Sequence, residues 1–151
     1  MQIEEGMETE FAVMAKQTII ALNNASIVAK MSHWNVRGPN YYESHLMFDR
    51  IHEDLYGLMD PLIEQLRAYG FNPDFNLFQG PGIAMQSGDA KFLVGLTLDY
   101  VMSLNATLKY FFNHCTENTD DPRNVGLADH LGGMASAILV DQYLLQAWLG
   151  Q

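Results

Sequence analysis

The chain predicts an all-α protein, a bundle of four long helices with a long crossover between the second and third. Three observations carry this. Apolar residues recur at three- and four-residue spacings through most of the sequence. No useful stretch alternates in the two-residue period of a strand. One long interruption, residues 70–88, concentrates Gly, Pro and Asn near the middle of the chain.

The first helix is expected from about Glu8 to Val36, with Phe11, Met14, Ile19, Leu22, Ala25 and Ala29 on its apolar face. Gly38 and Pro39 end it, because glycine suits the position after a helix and proline cannot continue the ladder. A second helix runs from about Tyr42 to Tyr69 and stops at Gly70. Pro61 lies inside it, where it removes the hydrogen bond to the Gly57 carbonyl and should kink the axis. The crossover follows, with one short helical turn expected near Ile83 to Met85. Ser87 or Asp89 caps a third helix reaching about Glu117, and the turn Glu117–Pro122 leads to a fourth, from about Asn124 to Leu149. Short loops make each helix pair an antiparallel hairpin. The crossover lets the second and third helices run parallel, the layout of ferritin-like bundles.

At 151 residues and 48% hydrophobic, the chain is expected to form a single domain, 1–151, with a substantial core. Eighteen acidic residues against eight basic ones give a net charge of −10, a field that repels DNA and anionic membranes and attracts cations. The single Cys115 has no internal disulfide partner, which fits a reducing compartment. The N-terminal MQIEEGMETEF is acidic and lacks the apolar core of a signal peptide, and no apolar run is read as membrane-spanning. A cytoplasmic location is expected.

Function is concentrated in one stripe. His45, Asp49, Asp60 and Glu64 step by four, eleven and four residues, which returns each to nearly the same angle on a helix. All four are therefore expected on one side of one long helix, with His33 near the end of the first helix beside His45. Imidazoles and carboxylates are the ligands that iron and similar divalent metals accept. A polar stripe also arises as a plain solvated face, and on residues alone both readings stand. If the stripe binds metal, length decides how. At 1.5 Å per residue, Asp49 and Asp60 are about 16 Å apart along the axis, while coordination bonds to hard cations are about 2.0–2.6 Å long. One chain cannot close the site. Two copies of the helix crossing antiparallel about a two-fold axis can, with His45 and Asp49 of one facing Asp60 and Glu64 of the other. The Glu-x-x-His pairs of a site inside one bundle are absent.

Beside these ligands stands His33-Trp34-Asn35-Val36-Arg37-Gly38-Pro39, and the fourth helix closes on Tyr143-Leu-Leu-Gln-Ala-Trp-Leu-Gly150. In both segments, and in the spacing from His33 through His45 and Asp49 to Asp60 and Glu64, the chain resembles the Dps-type mini-ferritins (DNA-binding protein from starved cells). The resemblance covers nearly the whole chain. It implies a ferritin-like subunit in a shell of twelve copies, with ferroxidase sites at two-fold interfaces. Such a shell oxidises Fe(II), usually preferring hydrogen peroxide to dioxygen, and stores ferric mineral, which limits oxidative damage. It implies that His33, His45 and Asp49 come from one subunit and Asp60 and Glu64 from its partner, with Trp34 as a redox-active neighbour. Acidic residues near the start of the fourth helix, Asp121 and Asp129, would line pores that admit Fe(II).

Two departures qualify the resemblance. Many relatives bind DNA through a basic tail, but here Glu4, Glu5, Glu8 and Glu10 precede the first basic residue, Lys16, and the sequence closes at Gln151 without a tail. Phosphate contacts drive non-specific DNA binding, so little or none is expected. Pro61, next to Asp60, could re-aim the second ligand pair. The alternatives are therefore a metal-binding shell without efficient oxidase activity, a nucleoid-compacting protein, and a plain helical interaction module. His52, in line with His45 and Asp49, reads as a solvated or interface histidine with an accessory metal position as the alternative, and His114 and His130 read as structural.

Overall fold

A computed structural model describes residues 9–151. Glu4, Glu5 and Glu8 lie outside the described residues. The helices are α1 (Glu10–Asn35), α2 (Tyr41–Gly57), α3 (Met59–Arg67), α4 (Ala90–Glu117) and α5 (Arg123–Trp148), with a 3₁₀ turn at Phe75–Phe78. No strand forms among the described residues. The fold is a ferritin-like four-helix bundle in which α2 and α3 together make the second rod.

Side-chain contacts give the directions. His33 meets His45 and Ser26 meets His52, so α1 and α2 are antiparallel. Ser32 meets Thr97 and Glu10 meets His114, so α4 also opposes α1 and runs parallel to α2. Asn105 bonds Gln142 and Asn124 bonds Asn118, which sets α5 antiparallel to α4. The crossover delivers the parallel pair that its length anticipated.

The second rod is not one helix, as its periodicity suggested. It breaks at Leu58, where proline predicts a break: Pro61 has no N–H for the Gly57 carbonyl, and its ring crowds that turn. The Leu58 N–H turns back to Leu55 at 3.1 Å, and helical bonding resumes with Leu62 on Leu58 at 3.3 Å. The short turn of the crossover also falls elsewhere than expected. Asp74 organises it at Phe75–Phe78, its carboxylate accepting from the Asn76 N–H at 2.9 Å. Residues 83–85 are not helical, and Gly80 and Gly82 just before them have φ of +82° and +64°, outside the helical region.

One contact pins the site's end of the molecule. The Arg37 N–H donates to the Gly88 carbonyl at 2.9 Å, joining the α1–α2 turn to the entry of α4. Only glycine fits at 88, since a Cβ there would come within 2.6 Å of the Asn35 carbonyl oxygen.

Ala15, Ile19, Leu22, Phe48, Ile51, Leu55, Leu62, Leu93, Leu104, Phe111, Leu131, Ile138 and Leu145 fill the core. α1 is, by length and composition, apolar enough to cross a membrane, with a mean hydropathy of 1.2 over eighteen residues, contrary to the reading that no run reaches that length. Here those apolar side chains line the bundle interior. A carboxyl group is buried with them. Asp141 on α5 is 1% exposed, and neither carboxylate oxygen has a hydrogen-bond donor among the described residues. Burial first, then the Asp54 carboxyl facing it from α2, push Asp141 up to about 8 against a smaller opposing pull from Arg50. Raised in this way, the Asp141 carboxyl favours its protonated form at neutral pH.

Candidate metal centre

The α1–α2 seam carries the first three candidate ligands. His33 and His45 stack with ring centroids 3.7 Å apart and planes 16° from parallel. Each ring donates Nδ1–H to the other residue's backbone carbonyl, at 2.7 Å for His33 and 2.8 Å for His45. A carbonyl only accepts, so Nδ1 carries a proton in each ring, and in the neutral form the lone pair lies on Nε2. This is the tautomer and the outer tether that metal-ligating histidines use. Tyr41 stacks on the far face of His45, centroids 5.1 Å apart.

Asp49, one turn along α2, receives the Lys30 ammonium at 2.8 Å. That hydrogen bond holds the Asp49 carboxyl below the usual carboxylate range, aided by the charges of Lys30, His33 and His52 and opposed by partial desolvation. Lys30 also lies 5.7 Å from the ring of Trp34, whose side chain is 65% exposed. Sequence reasoning missed Lys30. Its only signal was a basic residue three positions before His33, on the same face of α1.

Asp60 and Glu64 lie on α3, beyond the break, and both are exposed. Neither has a hydrogen bond or ion pair among the described residues. The structure thus brings His33, His45 and Asp49 together and leaves Asp60 and Glu64 apart from them. No three His, Cys, Asp or Glu side chains converge on a metal-sized point among the described residues. A cavity of about 560 Å³ sits at the other end of the bundle around Phe11, Tyr69, His114 and Arg123, and none of these candidate ligands lines it.

Near the start of α5, Asp121 is engaged by Arg123, with contacts of 2.7 Å to the guanidinium and 3.0 Å to the backbone N–H. The guanidinium holds the Asp121 carboxyl below its ordinary value. Asp129 is exposed on α5. His114 lies 4.0 Å from Glu10, and the buried Nε2 of His130 has no partner among the described residues.

No family model matches the sequence. A low temperature-induced protein of Nostoc sp. is 23% identical over 126 residues, covering 82% of this chain and 68% of that protein. Solved Dps structures match almost end to end. Dps from Thermosynechococcus elongatus has a TM-score of 0.82 at 15% identity, over 94% of this chain and 91% of that one. Dps from Microbacterium arborescens, in a high iron form, has a TM-score of 0.76 at 17% identity, over 95% and 97%. A Listeria innocua Dps variant has a TM-score of 0.80 at 18% identity, over 96% and 97%. Its two replaced histidines are twelve residues apart, the separation of His33 and His45 here. The chain has the fold of a Dps-type, ferritin-like mini-ferritin subunit.

Proposed function

We propose that this protein is a ferroxidase and iron-storing mini-ferritin, acting as a closed homo-oligomer of twelve subunits in the cytoplasm. Fe(II) is the substrate. His33, His45 and Asp49 of one subunit bind it together with Asp60 and Glu64 of a partner. Two Fe(II) each give up one electron, and hydrogen peroxide takes both. Its O–O bond breaks and, with two protons, it leaves as two waters. Hard carboxylate oxygens favour the Fe(III) product, which passes inward and hydrolyses to mineral. Trp34, exposed beside Lys30, is the redox-active neighbour of the site. Asp129 is the better candidate for a pore carboxylate, since Arg123 already occupies Asp121.

The observation that carries this reading is the reciprocal tether of His33 and His45, which presents two Nε2 lone pairs beside the Asp49 carboxylate. The high iron form of the Microbacterium arborescens protein supports iron as the cargo. The separation of the two pairs along the second rod supports a shared site, since one chain supplies only half. A second reading, a shell that binds metal without oxidising it efficiently, draws on the Lys30 contact that competes for Asp49. DNA binding is not part of the proposal: a net charge of −10, with eight basic residues spread between 16 and 123, disfavours phosphate contacts.

Complementation tests the shared site and the oxidation together. One variant carries His45→Ala and Asp49→Ala; the other carries Asp60→Ala and Glu64→Ala. Ferric absorbance after Fe(II) and peroxide should fall to the protein-free rate for each alone. Denatured together and reassembled as an equal mixture, they should recover about a quarter of wild-type activity. Half of random pairs are mixed, and each mixed pair holds one intact and one doubly broken site. No recovery sinks the inter-subunit site, and a wild-type rate equal to the protein-free control sinks the oxidase.

A further inference from the structure

His52 is the third imidazole on the α1–α2 seam, and the proposed iron site leaves it unused. It is built like the other two. Its Nδ1 lies 2.8 Å from the Ser26 carbonyl, with the Ser26 hydroxyl at 3.0 Å. The carbonyl can only accept, so Nδ1 carries the proton and Nε2 keeps its lone pair. Tyr56 stacks on the ring, centroids 5.6 Å apart and planes 19° from parallel, which covers a face and leaves the edge open.

Asp49 precedes His52 by three residues, so both side chains project from one face of α2. Lys30 takes Oδ1 of Asp49, and Oδ2 has no partner among the described residues. An Asp-x-x-His pair with a tethered ring and one uncommitted carboxylate oxygen is a two-ligand start to a cation site.

We infer that Asp49 and His52 form a second cation position on each subunit, one turn along α2 from His45, for a borderline divalent ion such as Fe(II), Co(II) or Zn(II). The inference rests on the proposed function. In the antiparallel pairing, 45 opposes 64 and 49 opposes 60, each pair summing to 109. Position 52 then opposes 57 and lies between the oxidation site and the two-fold axis. Asp49 would be shared by both positions, which makes the second a place where incoming Fe(II) waits beside the site that oxidises it. Water or the partner supplies the remaining ligands.

Zn(II), which cannot be oxidised, is the probe, titrated calorimetrically into the metal-free oligomer. Wild type should show two classes of site. In His52→Gln, whose amide can still donate to the Ser26 carbonyl, the second class should vanish or weaken by roughly tenfold or more. The first class should remain. His52→Glu should retain a second class, because it restores a ligand. Wild-type titrations from both variants overturn the inference, and so does loss of the second class from both. If wild type binds no Zn(II) at all, the proposed function fails with it; if binding is intact but indifferent to position 52, only this inference fails.

Discussion

Around His45 and Asp49 the chain has already engaged one polar atom of each side chain, Nδ1 and Oδ1, whereas Asp60 and Glu64 stand exposed with no partner of their own among the described residues. The first half is arranged before any metal arrives. Two Nδ1 tethers, a ring stack and an ion pair hold three candidate ligands and also fasten α1 to α2. The second half is two carboxylates on a separate helix, free to rotate, and ordering them costs entropy that only a cation or a partner can offset. The difference teaches that the imidazole end is structural as well as chemical, while the carboxylate end has no local reason to be where it is.

That contrast can be broken directly. Asp60→Asn with Glu64→Gln should slow iron oxidation tenfold or more, as the loss of two ligands does. Thermal stability should stay within about 0.5 kcal/mol of wild type, as for exposed substitutions. His33→Ala with His45→Ala should lose oxidation and also about 1–3 kcal/mol of stability, through two hydrogen bonds and a ring stack. Equal destabilisation by the two pairs would dissolve the distinction.

Asp141 sharpens it by showing a buried carboxyl that no metal is asked to satisfy. Its folded pKa is about 8, above the ordinary 3.8, so the folded state holds a proton that the unfolded chain releases. Stability from this group is therefore fully present below about pH 4 and is lost as pH rises to 8. Asp141→Asn should flatten that slope and raise stability at pH 8 by on the order of 2 kcal/mol, read from melting curves at pH 5 and 8. A variant that melts in parallel with wild type across that range would mean Asp141 is not protonated. The smallest effect is expected at Lys30. Lys30→Gln frees Asp49 from its competitor and should tighten Zn(II) binding at pH 7 by roughly two- to fivefold, as for an exposed ion pair. Weaker binding instead would make Lys30 an organiser of the site and not a rival for it.

Much of this was legible in the residues. Helical period, Gly38-Pro39 and the Asp89 cap located α1 and α4 to within a few positions, because those signals are local. Pro61 announced the break at Leu58 for the same reason. The stripe of imidazoles and carboxylates was legible as a pattern because a helix converts spacing into direction. What stayed hidden depends on segments distant in sequence meeting in space. The tether of each histidine to the other's carbonyl, Lys30 on Asp49, Gly88 against Asn35 and the Asp54–Asp141 pair have no periodic signature. The 3₁₀ turn was misplaced because Ile83 to Met85 looked locally apolar, while Asp74 supplied a cap that the eye passed over.

The break at Leu58 has a geometric consequence. In the antiparallel pairing proposed above, the two-fold axis would pass between positions 54 and 55, so the break in each rod would lie close to where it crosses its partner. There Pro61 would be less a flaw in the second rod than a shaping element at the crossing.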